Sequence, residues 1–263
     1  MHQALSPEIF EEIQQKLRRL EEKEGIRILY ACESGSRSWG FASPASDYDI
    51  RFIYASPVRR YLQLSPLRDT IESEEGDLWD ISGWDLKKAV LLLKKGNASL
   101  AQWLYSPIVY RSHPVFVTEM RKLLAHSSPI PRLYWAYRSM AQAHITNYLA
   151  GRPEVEYKRF LYVVQALLGM QWVETKQTIP PVIFEELVTT LVTDEALLTE
   201  ISTLVRIKSS EGESRMGPKT MFPHVTGFIE QALVNTQPPE SAGEEVPAAD
   251  LDAFFLKWIG AGL

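Results

Sequence analysis

The chain has 263 residues, with 28 Lys and Arg against 33 Asp and Glu, a formal net charge of -5. Hydrophobic residues at 45% and charged residues at 23% exclude a disordered chain, and 14 Gly with 16 Pro exclude a collagen-like one. Net acidity excludes polyanion binding by bulk charge, and the single Cys32 excludes an internal disulfide or a multi-cysteine zinc site. No apolar run is as long as a membrane span, and the N-terminus lacks the charged-then-apolar profile of a signal peptide. A cytoplasmic protein with no membrane partner is therefore expected.

In chain order, Ser6 and Pro7 open a first helix, with Phe10, Ile13, Leu17 and Leu20 at helical spacing. Residues 26–33 (IRILYACE) and 48–54 (YDIRFIY) read as buried strands, separated by a small polar turn at 34–38 and a loop at 44–46. Residues 68–72 and 78–83 read as two further short strands. Asp85 caps a helix that Gly96 stops. Helical patterns follow at 99–105 and 113–125.

After Pro129 and Pro131 the pattern becomes helical throughout, at 132–149, 156–176, 184–191, 194–208, 226–234 and 248–259. An acidic Pro/Gly/Ser-containing loop spans 238–247. The expected fold class is α+β: a small mixed sheet flanked by helices over 1–128, then a helical domain over 129–263.

Chemistry concentrates in the segment ESGSRSWGFASPASDYDIR. A strand delivers Gly35 and Ser36 into a turn, and after ten intervening residues come Asp47 and Asp49. Residues two apart on a strand share a face, so the two carboxylates repel unless a cation lies between them. Hard divalent ions such as Mg²⁺ take such oxygen ligands together with substrate phosphates. The Gly–Ser turn offers N–H groups and a hydroxyl that suit phosphate. The same letters also arise in an ordinary turn followed by solvated acids at a strand end.

The GS…DYDI arrangement resembles the signature of the DNA polymerase β-like nucleotidyltransferase superfamily. Three stretches, GSRSWGFASPASDYDIRFIY, DISGWDLKKAVLLLKKGNASLAQWLYSPIVY and YKRFLYVVQALLGMQWV, resemble its RlaP and YcgL-type branch of predicted nucleotidyltransferases. Tyr48, between the acids, is less apolar than the superfamily pattern. The resemblance implies a polymerase β-like core at 1–128, and a helical domain at 129–263 forming the other wall of a cleft. It implies that Asp47 and Asp49 bind two Mg²⁺ ions, with Mn²⁺ the alternative, and that a third acid on a later strand completes the site.

Asp80 is the best placed third acid, because in LWDIS it shares a strand face with Leu78 and Ser82, and an acid among apolar neighbours needs compensation. Asp85 is better explained as a helix cap, and Asp77 lies before the strand. Gly35 and Ser36 would cradle the leaving phosphates of an NTP, ATP above all, assisted by Arg37 and Ser38. Asp80 would help deprotonate the acceptor hydroxyl, and pyrophosphate would leave. Lys158 and Tyr162, four apart on one helix face, would reach the triphosphate or base.

Arg206, Lys208, Arg215 and Lys219 flank the loop SSEGES, a solvated surface loop by default. The tyrosines and tryptophans of the helical half read as packing, Cys32 as an inert core thiol, and the five scattered His as no zinc site. The expected reaction moves a nucleoside monophosphate from an NTP to an acceptor hydroxyl, with an RNA or tRNA end as a compatible acceptor. DNA-specific binding is not expected from the net acidity. Two rivals remain: an adenylyltransferase acting on a protein or small molecule, and a non-catalytic nucleotide sensor that kept the fold.

Overall fold

The computed structural model describes residues 5–74, 78–127, 130–211, 215–234, 236–240 and 246–260. Internal contacts divide the chain into two units. Met1–Ser38, Asp47–Pro129 and Gly243–Leu263 form the first, and Trp39–Ser46 with Ile130–Ala242 form the second.

The first unit opens with α1 (Pro7–Glu24), where the Ser6 hydroxyl accepts the Ile9 N–H at 3.3 Å and Gly25 closes the last turn at φ 59°. Its Ile13, Leu17 and Leu20 stripe is buried. The chain then runs through β1 (Arg27–Glu33), α2 (Gly35–Trp39), β2 (Tyr48–Ala55), α3 (Val58–Tyr61), β3 (Thr70–Glu74) and β4 (Trp79–Asp85). After these come α4 (Leu86–Lys94), α5 (Ala98–Leu104), β5 (Val109–Ser112) and α6 (Pro114–His126).

The five strands make one mixed sheet in the order β3-β4-β2-β1-β5, with β2 and β4 parallel and the other pairs antiparallel. Strand alternation sends Ile50, Phe52, Tyr54, Trp79 and Ile81 into one cluster with the α1 stripe. The other face carries Trp84, which stacks on Trp103 of α5 at 3.8 Å. Strand β5 was not expected. It is four residues long at a sheet edge and only Tyr110 is buried, too short a pattern to stand out.

The second unit contains α7 (Ile130–His144), which continues into a π-helical turn at Ile145–Leu149, then β6 (Glu154–Glu156) and α8 (Tyr157–Lys176). Then follow α9 (Phe184–Leu191), α10 (Glu195–Glu211), β7 (Met216–Pro218) and α11 (Pro223–Ala232). Helix α8 is its most buried element, and Gly169 lets the Tyr137 ring of α7 lie directly on its backbone. β6 and β7 pair antiparallel. The segment 39–46 joins this unit because the Trp39 and Phe41 rings pack on Tyr162 and Phe184, at 5.3 and 5.2 Å.

Lys208, read as the last residue of a helix beside the SSEGES loop, lies inside α10, is buried and donates to the Ser46 hydroxyl at 2.8 Å. Lys219 is likewise engaged, donating to the Leu149 carbonyl at 3.0 Å. The last helix, α12 (Ala248–Ile259), groups with the sheet unit and not with the helices that precede it. Phe254 and Trp258 pack on Phe116 of α6 at 5.8 and 5.0 Å, and Arg27 of β1 donates to the Trp258 carbonyl at 2.5 Å. Its apolar stripe fits the sheet unit's helices, so chain order alone misplaces it.

Candidate active site

The site begins where β1 ends. Gly35 takes φ 59°, and a Cβ there would overlap the Asp49 carboxyl group. The turn thus needs glycine twice, for its left-handed backbone and for the carboxylate against it. Ser34 N–H donates to the Asp49 carbonyl at 2.8 Å, and Asp49 N–H donates to Glu33 Oε1 at 2.8 Å. Ser36 and Ser38 are buried, and the Ser38 hydroxyl donates to the Gly35 carbonyl at 2.8 Å, closing the short helix.

Arg37 Nε donates to the Asp47 carbonyl at 3.0 Å, and its guanidinium lies 3.9 Å from the centre of the Tyr48 ring. Tyr48 stacks on Trp79 at 4.9 Å, and Lys16 sits 5.0 Å over Trp79. The polar aromatic between the acids therefore has a structural reason: it holds Arg37 against the strand.

Asp49 and Asp80 are register partners across the parallel pair β2/β4. Arg51 lies between them, with Nη2 donating to Asp49 Oδ1 at 3.1 Å and to Asp80 Oδ2 at 2.7 Å. Asp80 is not an acid among apolar neighbours. Alternation along β4 buries Trp79 and Ile81 and turns Asp80 outward, its side chain 55% exposed, and Leu78 lies before the strand and is exposed. What compensates Asp80 is Arg51. Asp47 is exposed, one residue ahead of β2.

Asp85 caps α4, accepting the Lys87 N–H at 2.8 Å. Asp77 lies outside the described residues. Among the described residues, no three His, Cys, Asp or Glu side chains form a ready metal cluster. Asp49 and Asp80 nonetheless offer only oxygen donors, and their two carboxylates outnumber the one guanidinium that bridges them. That chemistry fits a hard divalent cation.

Burial pushes the Asp49 carboxyl up to about 6, with the Asp80 and Asp47 carboxylates adding to the rise and Arg51 opposing it. Glu33 is fully buried at the end of β1. Burial pushes its carboxyl up to about 7, opposed by the bonds it accepts from Tyr110 and from Asp49 N–H. The Ser106 hydroxyl holds the Glu33 carbonyl at 2.6 Å.

Lys158 and Tyr162 belong to the second unit. Both lie on α8, Lys158 3.8 Å from Glu156 and Tyr162 edge-on to Trp39 at 5.3 Å, with His144 6.1 Å away. Arg159, one residue on, pairs with Glu156 at 2.9 Å and lies 3.9 Å from the Tyr148 ring centre.

A family described as the RNA repair pathway DNA polymerase beta family matches residues 9–257. The chain belongs to this family. The uncharacterized protein YcgL of Bacillus subtilis (strain 168) is 42% identical over 193 residues, covering 73% of this chain and 74% of that protein. A crystal structure of a nucleotidyltransferase-like protein from Exiguobacterium sibiricum 255-15 aligns over 93% of this chain and 75% of its own. Its identity is 11% and its TM-score 0.32, too low to carry an argument. Membership of a polymerase beta family supports a role in nucleotidyl transfer.

Within this family member, the sequence reading passed over three residues of the site. Glu33 ends a strand that is apolar and buried from Ile28 onward, and that acid at a strand end was the available signal. Arg51 lies two residues after Asp49 and so shares its strand face, a signal of the same kind as the acid pair itself. Tyr110 had none, because β5 was not recognised. Among the described residues, no helix is long and apolar enough to cross a membrane.

Proposed function

We propose that the chain transfers a nucleoside monophosphate from an NTP, ATP in the first instance, to the terminal hydroxyl of an RNA. The observation that carries this reading is the seat of the Asp49 carboxylate against Gly35, which leaves no room for a side chain in the turn. An acid beside a turn of this kind has a clear use where a triphosphate and its cation meet.

Gly35 and Ser36 bind the leaving phosphates through the turn, Ser38 shapes that turn, and Arg37 supplies positive charge beside it. Asp47 and Asp49, with Asp80, would hold Mg²⁺ or Mn²⁺, which when bound offsets the charge of the triphosphate and of the attacking oxygen. The acceptor oxygen forms a bond to the α-phosphorus as the bond from that phosphorus to the β-phosphate's bridging oxygen breaks. The acceptor proton goes to Asp80, and pyrophosphate carries away the electron pair of the broken bond.

The test is incubation with ATP labelled at the α-phosphate, with the protein alone and with total RNA. Label on RNA, with unlabelled pyrophosphate released, is the expected result. Label on the protein itself would move the reading to a protein adenylyltransferase. ATP binding without pyrophosphate release from any acceptor would leave a nucleotide sensor.

A further inference from the structure

We propose that Arg51 is a resident counter-cation of the acid site, which a divalent ion must displace from Asp49 and Asp80. The inference rests on the reading of the site given above. Two carboxylates directly opposite each other on parallel strands repel, and a single guanidinium bridges them, its Nη2 lying 3.1 Å from Asp49 Oδ1 and 2.7 Å from Asp80 Oδ2.

The two ends of that guanidinium are held differently. Nη2 makes both acid contacts, whereas Nη1 donates to the main-chain carbonyls of Asp80 at 2.8 Å and Ile50 at 3.2 Å. The backbone bonds do not depend on the charge state or rotamer of either acid. Arg51 can therefore release both carboxylates while Nη1 stays anchored in the sheet.

Exposure points the same way. The Arg51 side chain is 17% exposed and the Asp80 side chain 55%, so the acid is the partner with room to turn towards an ion. An ion and the guanidinium would compete for the same oxygens, Asp49 Oδ1 and Asp80 Oδ2. Arg51 acts through these acids and touches no substrate in this account; it is a positioning residue that sets how tightly the site takes a cation.

Removing Arg51 would remove the competitor and make the site more negative by one charge, and both effects strengthen cation binding. The experiment is Mn²⁺ titration of the full chain without nucleotide, following the electron paramagnetic resonance signal of free Mn²⁺. It is run for the wild type, Arg51→Gln, Arg51→Lys and Asp49→Asn. The expected result is Mn²⁺ binding about tenfold tighter in Arg51→Gln than in the wild type. Arg51→Lys should fall between them, since it keeps the charge but has no second nitrogen to hold the Asp80 and Ile50 carbonyls as Nη1 does, and Asp49→Asn should lose binding.

If Arg51→Gln does not fold, as judged by circular dichroism, Arg51→Lys alone decides, and binding no tighter than wild type overturns the proposal. Wild-type binding that depends on Asp49, with Arg51→Gln equal or weaker, overturns the counter-cation role and leaves the acid-site reading intact. No Mn²⁺ binding by any variant overturns both.

Discussion

Gly35 and Asp49 constrain each other more tightly than any other pair in the site. The glycine has φ 59°, and the space a Cβ would fill is taken by the Asp49 carboxyl group. Gly35→Ala should destabilise the fold by about 1–3 kcal/mol, from backbone strain together with the displaced carboxylate. Urea denaturation measures this, and nucleotidyl transfer should fall with it by more than the loss of folded protein explains. At this scale the sequence was informative about placement: it set Gly35 in a turn after β1 and Asp49 at the start of β2, and the structure has both there. The expectation of apolar neighbours at Asp80 failed, because alternation along β4 buries Trp79 and Ile81, so the side that Asp80 shares with Leu78 is the exposed one. Arg51 was overlooked because an arginine between Ile50 and Phe52 reads as an ordinary outward-facing strand residue.

The elements were legible in proportion to their length and their caps. α1 carries Ser6, Pro7 and a long apolar stripe, and α4 carries Asp85, so both stand out. β6 and β7 have three residues each, and β5 has four; such short pairs depend on tertiary contacts more than on local pattern. β5 matters nonetheless, because it carries Tyr110, whose hydroxyl donates to the buried Glu33 carboxylate. Glu33 in turn accepts the Asp49 N–H, so this edge strand secures the end of β1 beside the acids. Tyr110→Phe would leave a buried carboxylate oxygen without its donor, at a cost of about 1–3 kcal/mol. A shift of the urea midpoint of that order is expected, and an unchanged midpoint would remove Tyr110 from the account.

At the scale of the whole molecule, a split into an α/β part and a helical part is visible in the sequence, since alternating strands give way to helical periodicity after Pro129. The crossings of the chain between units are not visible, because periodicity reports an amphipathic face and not its partner. α12 shows the consequence. Its Leu251, Phe254 and Trp258 are buried within the sheet unit although they lie near the far end of the chain. Deleting residues 243–263 should therefore weaken the sheet unit by several kcal/mol, at about 1.5–3 kcal/mol for each large apolar side chain exposed. Amide hydrogen exchange should show protection lost in β1 and α6, with α8 little changed; loss confined to the helical unit would contradict the grouping. The central claim, that Asp47 and Asp49 beside the Gly–Ser turn carry nucleotidyl transfer, is tested most directly by pyrophosphate release from ATP with RNA present. The comparison is between the wild type and Asp47→Asn or Asp49→Asn proteins that retain the wild-type circular dichroism spectrum. The account predicts release by the wild type and none above background from either variant; release by a variant at the wild-type rate would contradict it.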